Sequence, residues 1–201
     1  MSNVKLVREK ARLSARSEYM RDFAMQRQLD FSAPAVGLLD PHNFVYLRRG
    51  EDKTASNVMH GTLHGWGVKI FDYSHTAAPD YYVEHLHTLG VLTPPADAPR
   101  LPVAVITPEN YLERYLVEMQ EAKWDVLAET GYLYRVFAQG EPAPALALAR
   151  HIAPFLKQHP GIYVESRGNA LLVFCPTLEL AMAKDLTGVF ELVNLLTAQT
   201  D

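Results

Sequence analysis

The chain has 201 residues, enough to bury a sizeable core, and its length lies between one ordinary domain and two small ones. An apolar fraction of 48% and a charged fraction of 21% exclude a disordered chain, and a net charge of −4 with a pI near 6.1 sets nucleic acid aside as the main partner. The single cysteine, Cys175, rules out an intrachain disulfide, and no apolar run reaches bilayer length or forms the core of a signal peptide, so no membrane insertion and a cytoplasmic address are expected.

The pattern predicts an α+β protein with three segments: an N-terminal helix over 1–30, a mostly antiparallel β lobe over 31–122 that ends in a helix, and a β-α-β-β-α lobe over 123–201. The two lobes are compatible with packing as one unit. From Val4 to Leu29 there is no Pro or Gly, and Leu6, Leu13, Met20 and Ala24 fall near one helical face with Phe23 beside them. Lys5, Arg8, Lys10, Arg12, Arg16, Arg21 and Arg27 crowd the same stretch, interrupted by Glu9, Glu18, Asp22 and Asp30, and read as a solvated face with internal ion pairs. The polar first half is expected to project from the body or to pack on a partner, including a second copy of the chain.

Pro34, Gly37 and Pro41 mark a loop, after which Phe44–Leu47 reads as a strand. Asn57–Leu63 and Val68–Tyr73 flank His64-Gly65-Trp66-Gly67 as a hairpin, and Tyr81–Leu89 alternates as a further strand. A Pro- and Ala-rich connection over 92–102 leads to the strand Val103–Ile106. Thr107-Pro108-Glu109 then reads as a helix start, followed by a stripe of Tyr111, Leu112, Tyr115, Leu116 and Met119. In the last segment Trp124–Ala128 alternates, Tyr132–Phe137 reads as a strand or short turn, and a helix follows over Ala143–Lys157. A hairpin turns at Gly168-Asn169 between Ile162–Glu165 and Ala170–Cys175. A final helix carries Met182, Leu186, Val189, Phe190, Val193 and Leu196 at core spacing.

The rhythm of Asn57-Val58, then Gly61, then Gly65, then a strand ending Phe71-Asp72-Tyr73 resembles an uncharacterised bacterial family. Glu129, Tyr134-Arg135-Val136-Phe137, Val164-Glu165, Gly168 and Leu171-Leu172-Val173 extend the resemblance over roughly 20–195. It implies no activity. Many members of that family look membrane-tethered through an N-terminal hydrophobic helix, whereas this chain has a charged helix there. Alternation along the signature strand places Phe71 and Tyr73 on one face and Asp72 on the other.

Two functional readings compete. The leading one is a non-enzymatic binding or protein-interaction module that needs no cofactor, with Trp66, Tyr73, Tyr81 and Tyr82 as a candidate aromatic contact patch. The rival is a metal-dependent hydrolase. His42, His60, His64, His75, His85 and His87 crowd the sheet region, and His60, His85 and His87 are the candidate ligands, although no His-Glu-x-x-His spacing is present. A third reading is a small-molecule site in a cleft between the lobes. Gly61, Gly65 and Gly67 lie between strands, which is the wrong context for a phosphate loop, and Cys175 reads as a buried, inert thiol.

Overall fold

A computed structural model describes residues 3–34, 36–37, 40–48, 50–76, 84–108, 119–122, 134–174 and 183–197; for 3–13, 36–37, 84–86, 120–122 and 183–187 it describes the backbone alone. Helix α1 (Asn3–Gln26) leads into short edge strands β1 (Asp30–Ser32) and β2 (Val36–Gly37). The long strands β3 (Glu51–Leu63), β4 (Trp66–Thr76) and β5 (Glu84–Thr93) follow, and then β6 (Val103–Pro108), β7 (Gln120–Ala122) and β8 (Tyr134–Ala138). Helix α2 (Pro142–Gln158), strands β9 (Tyr163–Arg167) and β10 (Leu171–Phe174) and helix α3 (Ala183–Thr197) complete the described chain. The fold is thus mixed helix and antiparallel sheet, the α+β class that the pattern predicts.

All ten described strands belong to one sheet, ordered β1-β3-β4-β5-β10-β9-β6-β8-β7, with β2 also paired to β3. The N-terminal strands join the C-terminal ones through β5 and β10, where Leu92 opposes Leu171 and Gly90 opposes Val173. Both faces are buried. On one face α1, α2 and α3 pack through Met20, Phe23, Ala24, Ile152, Leu156, Val189 and Val193 onto Met59, Ile70, Ile106, Val164 and Val173. On the other, Phe44, Val45, Tyr46 and Leu47 cover Phe71, Tyr73, Leu89, Tyr163, Leu172 and Phe174. A side chain as large as these contributes about 1.5–3 kcal/mol when fully buried, so each face carries a substantial share of the core.

The β3–β4 hairpin turns in two residues, narrower than the four the sequence marks. His64 (φ 49°) and Gly65 (φ 79°) both take positive φ, the requirement of a tight turn whose twist matches its strands. Four apolar β-formers, Phe44–Leu47, were expected as a strand, but they form a buried loop closed by a 3₁₀ turn at Tyr46–Arg48. The cause is local: Asp40 accepts hydrogen bonds from the backbone N–H groups of His42, Asn43 and Phe44, which curls the chain before it can extend. Thr107 and Pro108 belong to β6, paired with Arg135 and Tyr134, and the helix expected beyond them lies outside the described residues, as do Trp124–Ala128 and Cys175. Among the described residues, no helix is long and apolar enough to cross a membrane.

Helix α3 approaches β5 at Gly90, where a Cβ would sit 2.8 Å from Val189 Cγ2 and 3.0 Å from Val173 Cγ1. Gly90→Ala is therefore expected to overpack the helix–sheet contact and lower stability by about 1–3 kcal/mol. Adding Val189→Ala should recover part of that loss in urea titrations, because it removes the two Val189 methyl groups that the new Cβ meets and leaves Val173 Cγ1 in place.

Candidate functional site

Among the described residues, the two carboxylates that the sheet buries each anchor a node, one on each face. Asp72 lies on β4 between Phe71 and Tyr73, and alternation sends it to the helix-covered face. There Arg16 of α1 grips it in bidentate fashion, Nε donating to Oδ2 at 3.2 Å and Nη2 to Oδ1 at 3.1 Å. Asn57 Nδ2 donates to Oδ2 at 2.9 Å, and Thr88 Oγ1 donates to Oδ1 at 2.8 Å while accepting from Arg16 Nη2 at 2.8 Å. The pair is deeply buried, with the Arg16 side chain 9% and Asp72 2% exposed.

Asn57 reaches this node because the β3–β4 register shifts between Ser56 and Met59, and Asn57 itself takes a φ of 50°. Asparagine tolerates that conformation better than most residues. Beside the node, the Arg16 guanidinium lies 5.7 Å from the Tyr19 ring centre. Burial pushes the Tyr19 phenol above its ordinary pKa of 10.0, and the charge of Arg16 works in the opposite direction.

Glu165 of β9 forms the second node, on the face covered by residues 40–48. Its fully buried carboxylate accepts the backbone N–H of Val45 at 2.6 Å and of Tyr46 at 3.2 Å, the Tyr163 hydroxyl at 2.8 Å and Arg167 Nε at 2.7 Å. With its backbone held in this way, Tyr46 drops its ring into a socket of five others. Their centroids lie at 4.1 Å (Phe174), 5.9 Å (Tyr73), 6.0 Å (Tyr163) and 6.2 Å (His75 and His87). His75 also stacks on Tyr73 at 5.2 Å, so both buried imidazoles belong to an aromatic core.

The residues singled out from the sequence scatter over this frame. Trp66 is 7% exposed and packs in the helix-side core, while Tyr73 is fully buried in the opposite one, so the structure does not bring them together as a surface patch. The cause is parity along β4: they stand an odd number of residues apart on one strand and must face opposite ways. Tyr81 and Tyr82 lie outside the described residues.

Nor does the structure gather the candidate metal ligands His60 and His87. His60 is exposed beside Asp30, 3.5 Å from its Oδ2, and opposes Lys69 from β3, whereas His87 opposes Tyr73 from β5, about 13 Å further along β4 and on its other side. His85 opposes His75, and its side chain lies outside the description. Among the described residues no three His, Cys, Asp or Glu side chains group to hold a metal ion.

Arg16 and Glu165 are the two functional groups that pattern reading passed over as such. Arg16 was expected among solvated charges, yet it shares a helical face with Met20 and Phe23 at spacings of four and seven. That register puts a core-facing cation on an otherwise apolar stripe.

The frame of these two nodes is one antiparallel sheet covered by helices on one face and by residues 40–48 on the other. Among solved structures, the fold is similar to that of the mycobacterial trehalose monomycolate transport factor A, TtfA, with a TM-score of 0.62 over 90% of this chain and 94% of that one. Identity is 19%, so the likeness is one of fold. The chain matches no protein-family model and no curated protein.

Breaking the Arg16–Asp72 pair from one side leaves a buried charge without its counter-ion. Arg16→Met is expected to cost about 3–5 kcal/mol in chemical denaturation. The double variant Arg16→Met with Asp72→Leu should recover much of that loss, because no uncompensated charge remains; equal destabilisation in the single and double variants would show that the pair does not act as a unit. Tyr46→Ala empties the aromatic socket and is expected to cost about 3–5 kcal/mol in the same assay.

Proposed function

We infer that the chain is a bacterial, non-enzymatic binding or protein-interaction module, a factor that works through contact. The observation that carries this reading is the saturation of the two carboxylates buried among the described residues. A general base or a metal-holding carboxylate keeps acceptor capacity for a proton, a water or an ion. Asp72 gives its oxygens to Arg16, Asn57 and Thr88, and Glu165 gives its own to two backbone amides, Tyr163 and Arg167, so both are committed to architecture. The similar solved structure is that of a protein titled a transport factor, which supports a role as an accessory component and not as a catalyst.

The contact surface is assigned to the N-terminal half of α1. Arg16 fastens the helix to the sheet, and the helix continues N-terminal to it for about 20 Å. That stretch carries Lys5, Arg8, Lys10 and Arg12 against Glu9, in a chain whose net charge is −4, so it complements an acidic partner or the acidic remainder of a second copy. The α1 residues Met20, Phe23 and Ala24 belong to the core, so removing the whole helix would test folding and not association.

Charge reversal of the four basic residues in the full-length chain is the appropriate probe. Light scattering over a range of concentrations is expected to show association for the native chain and a monomer for the reversed one, with matching circular dichroism. Monomeric mass for both at every concentration would remove self-association. Stoichiometric zinc in untagged protein, together with a zinc-dependent rise in Tm, would replace the whole reading with the metal-dependent one.

A further inference from the structure

The connection from β5 to β6 runs from Pro94 to Pro102 and arches over the β9–β10 turn. Leu101 N donates to Gly168 O at 2.8 Å, and the Ser166 hydroxyl donates to Pro102 O, so the arch is fastened to the turn at its far end. Ala98 N donates to Pro95 O at 3.1 Å and closes a turn within the arch. Between the arch and the turn lies a cavity of about 350 Å³, at the small end of ligand-sized pockets, which run from about 300 Å³ upward. It sits where the N-terminal and C-terminal strands of the sheet meet.

The walls and the polar groups of this cavity differ in kind. Pro94, Pro95, Pro99 and Ala98 line it with apolar surface. Proline has no N–H and a fixed φ, so these walls offer few donors and are shaped before any ligand arrives, which lowers the ordering cost of binding. The polar side chains of the lining are those of Thr93, Arg100 and Asn169. Arg100 is exposed and makes no ion pair among the described residues, and Asp97 on the same arch is exposed and not paired with it. Asn169 has its Oδ1 3.2 Å from His42 Nδ1, which leaves its amide –NH₂ as the group to offer a ligand.

We propose that this cavity binds a small monocarboxylate with a short apolar body, the carboxylate accepting from Arg100 and Asn169 and the body lying against the proline walls. The site is independent of the α1 contact surface, so its failure and that of the association reading are separable. A guanidinium–carboxylate contact is a charge-assisted hydrogen bond, and losing it at a partly open site weakens binding by about tenfold or more.

Amide chemical-shift titration of the full-length protein with hexanoate tests the site, with hexanol and inorganic phosphate as the arms that separate apolar body from charge. Hexanoate is expected to produce saturable shifts confined to the amides of 93, 96–98, 100 and 168–169, with hexanol and phosphate each at least about tenfold weaker. Arg100→Gln, an exposed substitution whose fold the same spectrum verifies, should weaken hexanoate by about tenfold and leave hexanol unchanged. Non-saturable hexanoate shifts, equal binding by Arg100→Gln, or phosphate as tight as hexanoate would each overturn the proposal.

Discussion

Where both faces of a sheet are covered, an ionised group buried on an inner strand must find its partners within the protein. This constraint organises the molecule. Asp72 is answered by a side chain, Arg16, delivered from the middle of α1. Glu165 is answered by Arg167 and Tyr163 of its own strand and by two consecutive amides of the segment that carries Tyr46. Each carboxylate therefore fixes the position of an element far from it in sequence, and each would be costly to bury without that element in place.

The two tethers differ in what they specify. A bidentate guanidinium fixes both the rotation and the height of a helix, because planar groups meet edge to edge in few orientations. Consecutive amides bound to one carboxylate fix a backbone path and leave the side chains to find their own packing. On the helix face the tether thus sets register; on the other face it sets the entry point from which the Tyr46 ring reaches its socket.

Much of this was legible in the residues, and the gaps have physical causes. Alternation placed Asp72 opposite Phe71 and Tyr73, and turn chemistry placed the β9–β10 hairpin at Gly168-Asn169. Parity alone separated Trp66 from Tyr73, a constraint that was present in the spacing but outweighed by their shared aromatic character. Phe44–Leu47 was less readable: four apolar residues suit a strand and a covering loop equally well, and the deciding acceptor, Asp40, acts through backbone amides that no side-chain pattern reports. The partners of Asp72 were hidden for another reason, since pairing between α1 and β4 depends on how the helix lies across the sheet, a property of packing that no local window contains.

The position of β10 in the sheet has a consequence for how the chain acquires its structure. This strand, near the end of the described chain, lies between β5 and β9 and is the sole seam between the early and the late strands in the described sheet. On a ribosome, β3, β4 and β5 can zip together soon after they emerge, but the outer side of β5 stays open until Leu171–Phe174 has been made. Throughout that interval the growing chain presents an apolar strand edge, the kind of surface to which chaperones and like strands adhere.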